Sequence, residues 1–132
     1  MGVSNVLGIE QDTEMIYKAK QSLSDFQNFK FIQGDIEKTL PQIEEKFDIV
    51  LCMGVLYYLD CQEVLLQCRK RCKRLMIVDS FVNRELVPSL RFLQNCLCES
   101  GFNYTTLDVP NDFLGYGKKR FALHCRPIIP LF

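Results

Sequence analysis

The chain has no charge imbalance, no long apolar run and a single histidine, and each shortage removes a class of function. Lys+Arg and Asp+Glu both number 16 in 132 residues, so the formal net charge is zero. A whole-molecule field that gathers nucleic acid or a membrane surface is therefore not expected. No apolar stretch approaches the roughly 20 residues that span a bilayer, so no membrane partner is expected. Residues 1–10 lack a basic segment followed by an apolar one, and no signal peptide is expected there. The seven cysteines include no CxxC pair, and His124 is the sole histidine, so no metal site is expected. An odd number of thiols lying mostly in apolar or helical runs fits reduced, buried cysteines in a cytoplasmic protein. No internal repeat, low-complexity segment or linker interrupts residues 1–132, which are read as one domain.

What is present is an alternation of short apolar runs and helical periodicities. Val6-Leu7-Gly8-Ile9, ending at Glu10, suits a strand buried on both faces. From Thr13 the apolar positions Met15, Ile16, Ala19 and Leu23 recur at helical spacing, with Asp12 or Thr13 as cap. Residues 29–33 read as a second strand stopped by Gly34-Asp35, and Pro41 marks a turn or the first turn of a short helix. Residues 47–53 read as a third strand ending at Gly54, and 63–71 as a helix with Val64, Leu65 and Cys68 on one side. Residues 75–79 read as a fourth strand. A further helix is expected around Leu90, Leu93, Leu97 and Cys98, with Gly101 suited to its stop. Residues 104–109 and 120–125 read as two final strands around a turn at 111–119. Strands alternating with helices predict an α/β fold with a parallel sheet covered on both faces. The last two strands, joined without a helix, predict an antiparallel hairpin at one edge.

That ending resembles the class I S-adenosylmethionine (SAM)-dependent methyltransferases, which close with an antiparallel strand where a nicotinamide dehydrogenase usually adds a parallel one. The residues carry the same resemblance. Val6 to Asp12 is similar to that family's second strand and the acidic residue after it. Phe31-Ile32-Gln33-Gly34-Asp35-Ile36 resembles its third-strand motif, and the run from Phe47 through Met53-Gly54 to Tyr58 its fourth. The resemblance implies a three-layer αβα Rossmann-like sheet and SAM as cofactor. It implies Glu10, with Gln11 beside it, on the ribose hydroxyls, as in other Rossmann-like sites. Asp35 is implied for the adenine amino group, with Gly34 and the Ile36 backbone at the ring, and Met53 and Gly54 for the methionine side. Met53-Gly54-Val55-Leu56-Tyr57 is also similar to the sequence in tRNA wobble-uridine carboxymethyltransferases. Each residue has a plainer reading. Glu10 can be a solvated loop carboxylate, Asp35 a cap on the segment after it, and Tyr57 and Tyr58 packing residues under a lid rather than substrate-positioning ones. His124 reads as structural. No general base stands out, which methyl transfer from an activated sulfonium tolerates.

The family begins with a strand, a glycine-rich turn and a helix, and no such turn precedes Glu10. The expectation is a partial domain lacking the first strand, which the family places between its second and fourth. Residues 6–9 and 47–53 are then expected to pair directly or to leave two unpaired edges prone to self-association or to pairing with an upstream fragment. SAM binding by this chain alone is expected to be weak or absent. The implied activity is methyl transfer to a small molecule or an RNA. A non-catalytic binding or scaffolding module and, further off, a nicotinamide dehydrogenase fragment are the alternatives. For RNA, the candidate contacts are Arg69, Lys70, Arg71, Lys73 and Arg74 at a helix end and Lys118, Lys119 and Arg120 near the last strand. The first group equally suits the helix dipole.

Overall fold

The computed structural model describes residues 2–56, 59–81, 89–109 and 120–129. They form, in order, strand β1 (Val6–Glu10), helix α1 (Thr13–Ser22), β2 (Phe29–Gln33), α2 (Ile36–Thr39), a 3₁₀ turn (Leu40–Gln42), β3 (Phe47–Cys52), α3 (Cys61–Arg71), β4 (Cys72–Phe81), α4 (Leu90–Glu99), β5 (Phe102–Val109) and β6 (Arg120–Pro127). The chain divides into two compact units, Met1–Ile43 and Glu44–Phe132. No helix among the described residues is long and apolar enough to cross a membrane.

In the first unit β1 and β2 pair in parallel with no register shift, from Val6 opposite Phe29 to Glu10 opposite Gln33. A parallel pair needs a crossover, and α1 supplies it. Asp12 sets the start of that helix: its backbone is extended, and its side chain accepts from the N–H groups of Glu14 at 2.8 Å and Met15 at 3.3 Å. Asp12→Ala leaves both donors without that acceptor and is expected to cost about 0.5–2 kcal/mol. Asp12→Asn should cost far less, and urea denaturation followed by circular dichroism compares the two. Gly8 lies directly opposite Phe31, where a Cβ would stand 2.8 Å from the aromatic ring, so a larger residue there would force that ring to move.

The second unit is a four-stranded sheet in the order β3-β4-β6-β5. β3 and β4 are parallel, and β6 runs antiparallel to both β4 and β5. The antiparallel hairpin read from the sequence is therefore present, with β6 inside and β5 at the edge. Its connection at 111–119 lies outside the described residues. One face of this sheet carries Cys52, Met76, Val78, Phe102, Leu123 and Cys125, all buried. Helices α3 and α4 cover that face, with Val64, Leu65, Leu93 and Leu97 pointing inward and buried. Gly101 ends α4 with φ +86, and its N–H donates to the Cys98 carbonyl at 3.0 Å, the αL stop its position suggested.

Two expectations change. Burial on both faces does not hold for β3: Ile49 is 55% and Leu51 67% exposed. They alternate with Val50 and Cys52 and so stand on the face opposite α3 and α4. Among the described residues β1 pairs with β2 in a two-stranded sheet, and β3 lies beside β4 at one end of the four-stranded sheet. The basic cluster also divides. Arg69, Lys70 and Arg71 close α3, whereas Lys73 and Arg74 already belong to β4. Arg71 is buried and donates to the carbonyl and side chain of Gln67, both at 2.9 Å. Arg69 donates to the carbonyls of Gly101 at 3.0 Å and Ile128 at 2.6 Å. Those two guanidiniums hold the fold together rather than forming an open phosphate-binding surface. Lys118, Lys119 and the side chain of Arg120 lie outside the described residues.

Candidate functional site

In an open parallel sheet, ligands bind beyond the carboxyl ends of the strands. β1 and β2 run in the same direction and in register, so Glu10 and the Gly34-Asp35 turn stand side by side at one such end. The Gly34 N–H donates to the Glu10 carbonyl at 3.0 Å and fixes the two turns against each other. Glu10 is half-buried and one of its oxygens, Oε1, accepts from the Asp12 N–H at 2.9 Å. Gln11 is exposed beside it.

Asp35 does cap the segment that follows it. It is the N-cap of α2, and its Oδ1 accepts from the Glu37 N–H at 2.8 Å. A Cβ at Gly34 would stand 2.5 Å from the Thr39 hydroxyl, so a larger residue there requires that hydroxyl to turn away. Glu10 and Asp35 thus share a design. In each carboxylate one oxygen holds the local backbone, and among the described residues the other has no protein donor. Such an oxygen can accept from a hydroxyl or an amino group of a ligand. Ile36, the first residue of α2, is half-buried beside them.

Met53 and Gly54 follow β3 in the second unit. Met53 is 49% exposed, and Gly54 has φ +66, a conformation that L side chains rarely adopt. Its N–H donates to Oδ1 of Asp79, a buried carboxylate near the end of β4. Sequence reasoning passed over Asp79. The signal was an acid closing an otherwise apolar strand, Leu75-Met76-Ile77-Val78-Asp79. Tyr57 and Tyr58 lie outside the described residues. His124 sits mid-strand in β6, opposite Ile77 and Thr105. Among the described residues no three metal-ligating side chains converge.

A family model described as a methyltransferase domain matches residues 2–111. The chain belongs to this methyltransferase-domain family. Solved structures agree with this at the level of fold. The methyltransferase domain is similar to magnesium protoporphyrin IX methyltransferase from Synechocystis PCC 6803 with bound SAH, at a TM-score of 0.72 and 18% identity, covering 93% of this chain and 64% of that chain. It is similar to precorrin 8w decarboxylase from Methanobacterium thermoautotrophicum, at a TM-score of 0.67 and 23% identity, covering 96% and 71%. It is also similar to the [4+2]-cyclase SpnF, at a TM-score of 0.75 and 14% identity, covering 96% and 68%. No match is found among curated protein sequences. The methyltransferase domain thus has the Rossmann-like α/β fold of these proteins and spans under two thirds of the Synechocystis enzyme. A methyltransferase, a decarboxylase and a cyclase share the fold, so the fold alone does not name a reaction.

Proposed function

We propose that this methyltransferase domain takes part in SAM-dependent methyl transfer and that its first unit holds the nucleoside half of the cofactor. The observation that carries the reading is the pair of half-engaged carboxylates, Glu10 and Asp35, side by side at the carboxyl end of a parallel strand pair. A nucleoside presents ribose hydroxyls and an adenine amino group, both donors, and two acceptors held by neighbouring turns suit them. Glu10 is assigned the ribose and Asp35 the adenine amino group, with the Ile36 N–H and its half-buried side chain at the ring. Gln11 and Gly34 complete the two turns. Met53 and Gly54 are assigned the methionine side by their place after β3 in the family order. When bound, the cofactor supplies a methyl group already activated on a sulfonium, so the protein's task is to orient it and exclude water. The acceptor class is a small molecule or an RNA.

The test is an SAH titration followed by amide chemical shifts, which detects even millimolar binding. Saturable shifts are expected at Glu10, Gln11, Asp35 and Ile36. Glu10→Ala should weaken them at least about tenfold, the effect of losing roughly 1.4 kcal/mol of binding. Shifts confined elsewhere, or unchanged in Glu10→Ala, would remove the assignment. The breadth of chemistry among structures of this fold keeps a second reading in view, a methyltransferase-like module that binds without transferring. Saturable SAH binding with no transfer of labelled methyl to any component of a cell extract would favour it.

A further inference from the structure

Gln33 closes β2 and stands directly opposite Glu10 in the parallel register. Residues at one level of neighbouring strands project from the same face, about 4.8 Å apart. The glutamine side chain therefore leaves the sheet beside the Glu10 carboxylate. It is exposed but tethered: its Nε2 donates to the Thr13 hydroxyl at 2.6 Å. Thr13 is the first residue of α1, the helix that Asp12 caps. The Asp12 N–H in turn donates to Oε1 of Glu10 at 2.9 Å. The end of β1, the start of α1 and the end of β2 thus close a ring of contacts, completed by the Gly34 N–H on the Glu10 carbonyl. The ring holds two side chains next to each other, and each keeps one oxygen outside its bonds. Among the described residues neither the second Glu10 oxygen nor the Gln33 Oε1 has a protein donor.

We propose, resting on the nucleoside reading of Glu10 and Asp35, that Gln33 is a specificity-determining residue of that site and that with Glu10 it reads a vicinal cis-diol. Two neighbouring hydroxyls on one side of a sugar present two donors together. Two acceptors about 4.8 Å apart flank such a pair, and each can take one hydroxyl at about 2.7 Å. Glu10 accepts from one hydroxyl and the Gln33 Oε1 from the other. The carboxylate has only one oxygen clear of its own turn. The amide adds a second acceptor without setting another negative charge against the first. Thr13 decides which end of the amide serves the ligand, because its hydroxyl engages the NH₂ end and leaves the carbonyl. The ligand class that satisfies both acceptors is a ribonucleoside. A sugar lacking either hydroxyl leaves one acceptor unpaired and binds less tightly.

Amide chemical shifts of the full chain, titrated with adenosine, 2′-deoxyadenosine and 3′-deoxyadenosine, read this directly. The wild-type chain is expected to bind adenosine about fivefold more tightly than either analogue, the scale of one neutral hydrogen bond. Gln33→Leu should lose the preference over one analogue and keep it over the other. Glu10→Ala should show the opposite pattern. Thr13→Val releases the amide and should shrink the same preference that Gln33→Leu abolishes. Unchanged ratios in Gln33→Leu, whether or not all three affinities fall together, would mark the glutamine as structural and overturn the proposal. So would equal binding of the three ligands by the wild-type chain, or loss of the same preference in both Gln33→Leu and Glu10→Ala. Those outcomes leave the nucleoside reading standing. No saturable adenosine binding at all would remove that reading and the role of Gln33 with it.

Discussion

Phe102→Ala is expected to lower the stability of the second unit by about 3–5 kcal/mol, the range for emptying a fully buried aromatic site. That loss approaches the whole stability of a marginal domain, roughly 5 kcal/mol at the low end. Phe102 is 0% exposed and opens β5 directly after the αL turn at Gly101. The Arg69 guanidinium lies 5.9 Å from its ring centroid while donating to the carbonyls of Gly101 and Ile128. The ring therefore packs the core and also seats the arginine that ties α3 to both strands of the hairpin. Truncation empties the first role and loosens the second. Phe102→Leu keeps most of the volume and should cost under about 1.5 kcal/mol. Urea denaturation followed by far-UV circular dichroism reads both. A Phe102→Ala loss below that of the leucine variant would contradict this account of the core.

The second large effect is expected at Asp79. Asp79→Ala removes the acceptor that holds the Gly54 N–H, and a hydrogen bond to a charged group contributes roughly 1.5–3 kcal/mol. Gly54 is exposed, so water can take the place of the lost oxygen, and the lower end of that range is the expectation for stability. The larger consequence is local. Gly54 keeps its φ of +66 while tied to the end of the adjacent strand, and without that tie the turn after β3 should sample other conformations. Amide exchange at Gly54 should speed up by at least about tenfold, as a local opening made easier by 1.4 kcal/mol implies. Asp79→Asn retains an acceptor and should fall between the two. Unchanged exchange in Asp79→Ala would show that other contacts hold the turn.

The strands and their order were readable because each is a short apolar run closed by a turn residue. The readings Val6 to Ile9, Phe29 to Gln33 and Phe47 to Met53 all match the observed strands to within a residue. The helix boundaries were readable where one residue decides them, as at Asp12 through its side chain and Gly101 through its positive φ. β4 was harder. It begins at Cys72, which is buried, but the exposed Lys73 and Arg74 continue a basic run from α3 and disguise the start of the strand. The carboxylates at Glu10 and Asp35 could be named, and the parallel register explains why they fall together. That each would spend one oxygen on its own turn was only half visible, in the capping tendency of Gly34-Asp35. Asp79 escaped because its partner Gly54 lies far away along the chain, joined by packing that no local pattern encodes. Exposure of Ile49 and Leu51 was missed for a related reason: an apolar run reports what a strand can bury, not how many neighbours it finds.

The first unit has a thin interior. Among its described residues only Ile16, Leu40 and Ile43 are buried, whereas the second unit seals Leu65, Met76, Leu97 and Leu123 completely. Glu10 and Asp35 thus stand on the softer part of the molecule, where sub-global opening is cheapest. A guest gripped by both carboxylates would serve this unit as missing interior, and its binding energy would add directly to the work of prising β1 from β2. Occupancy and rigidity there are one equilibrium seen from two sides.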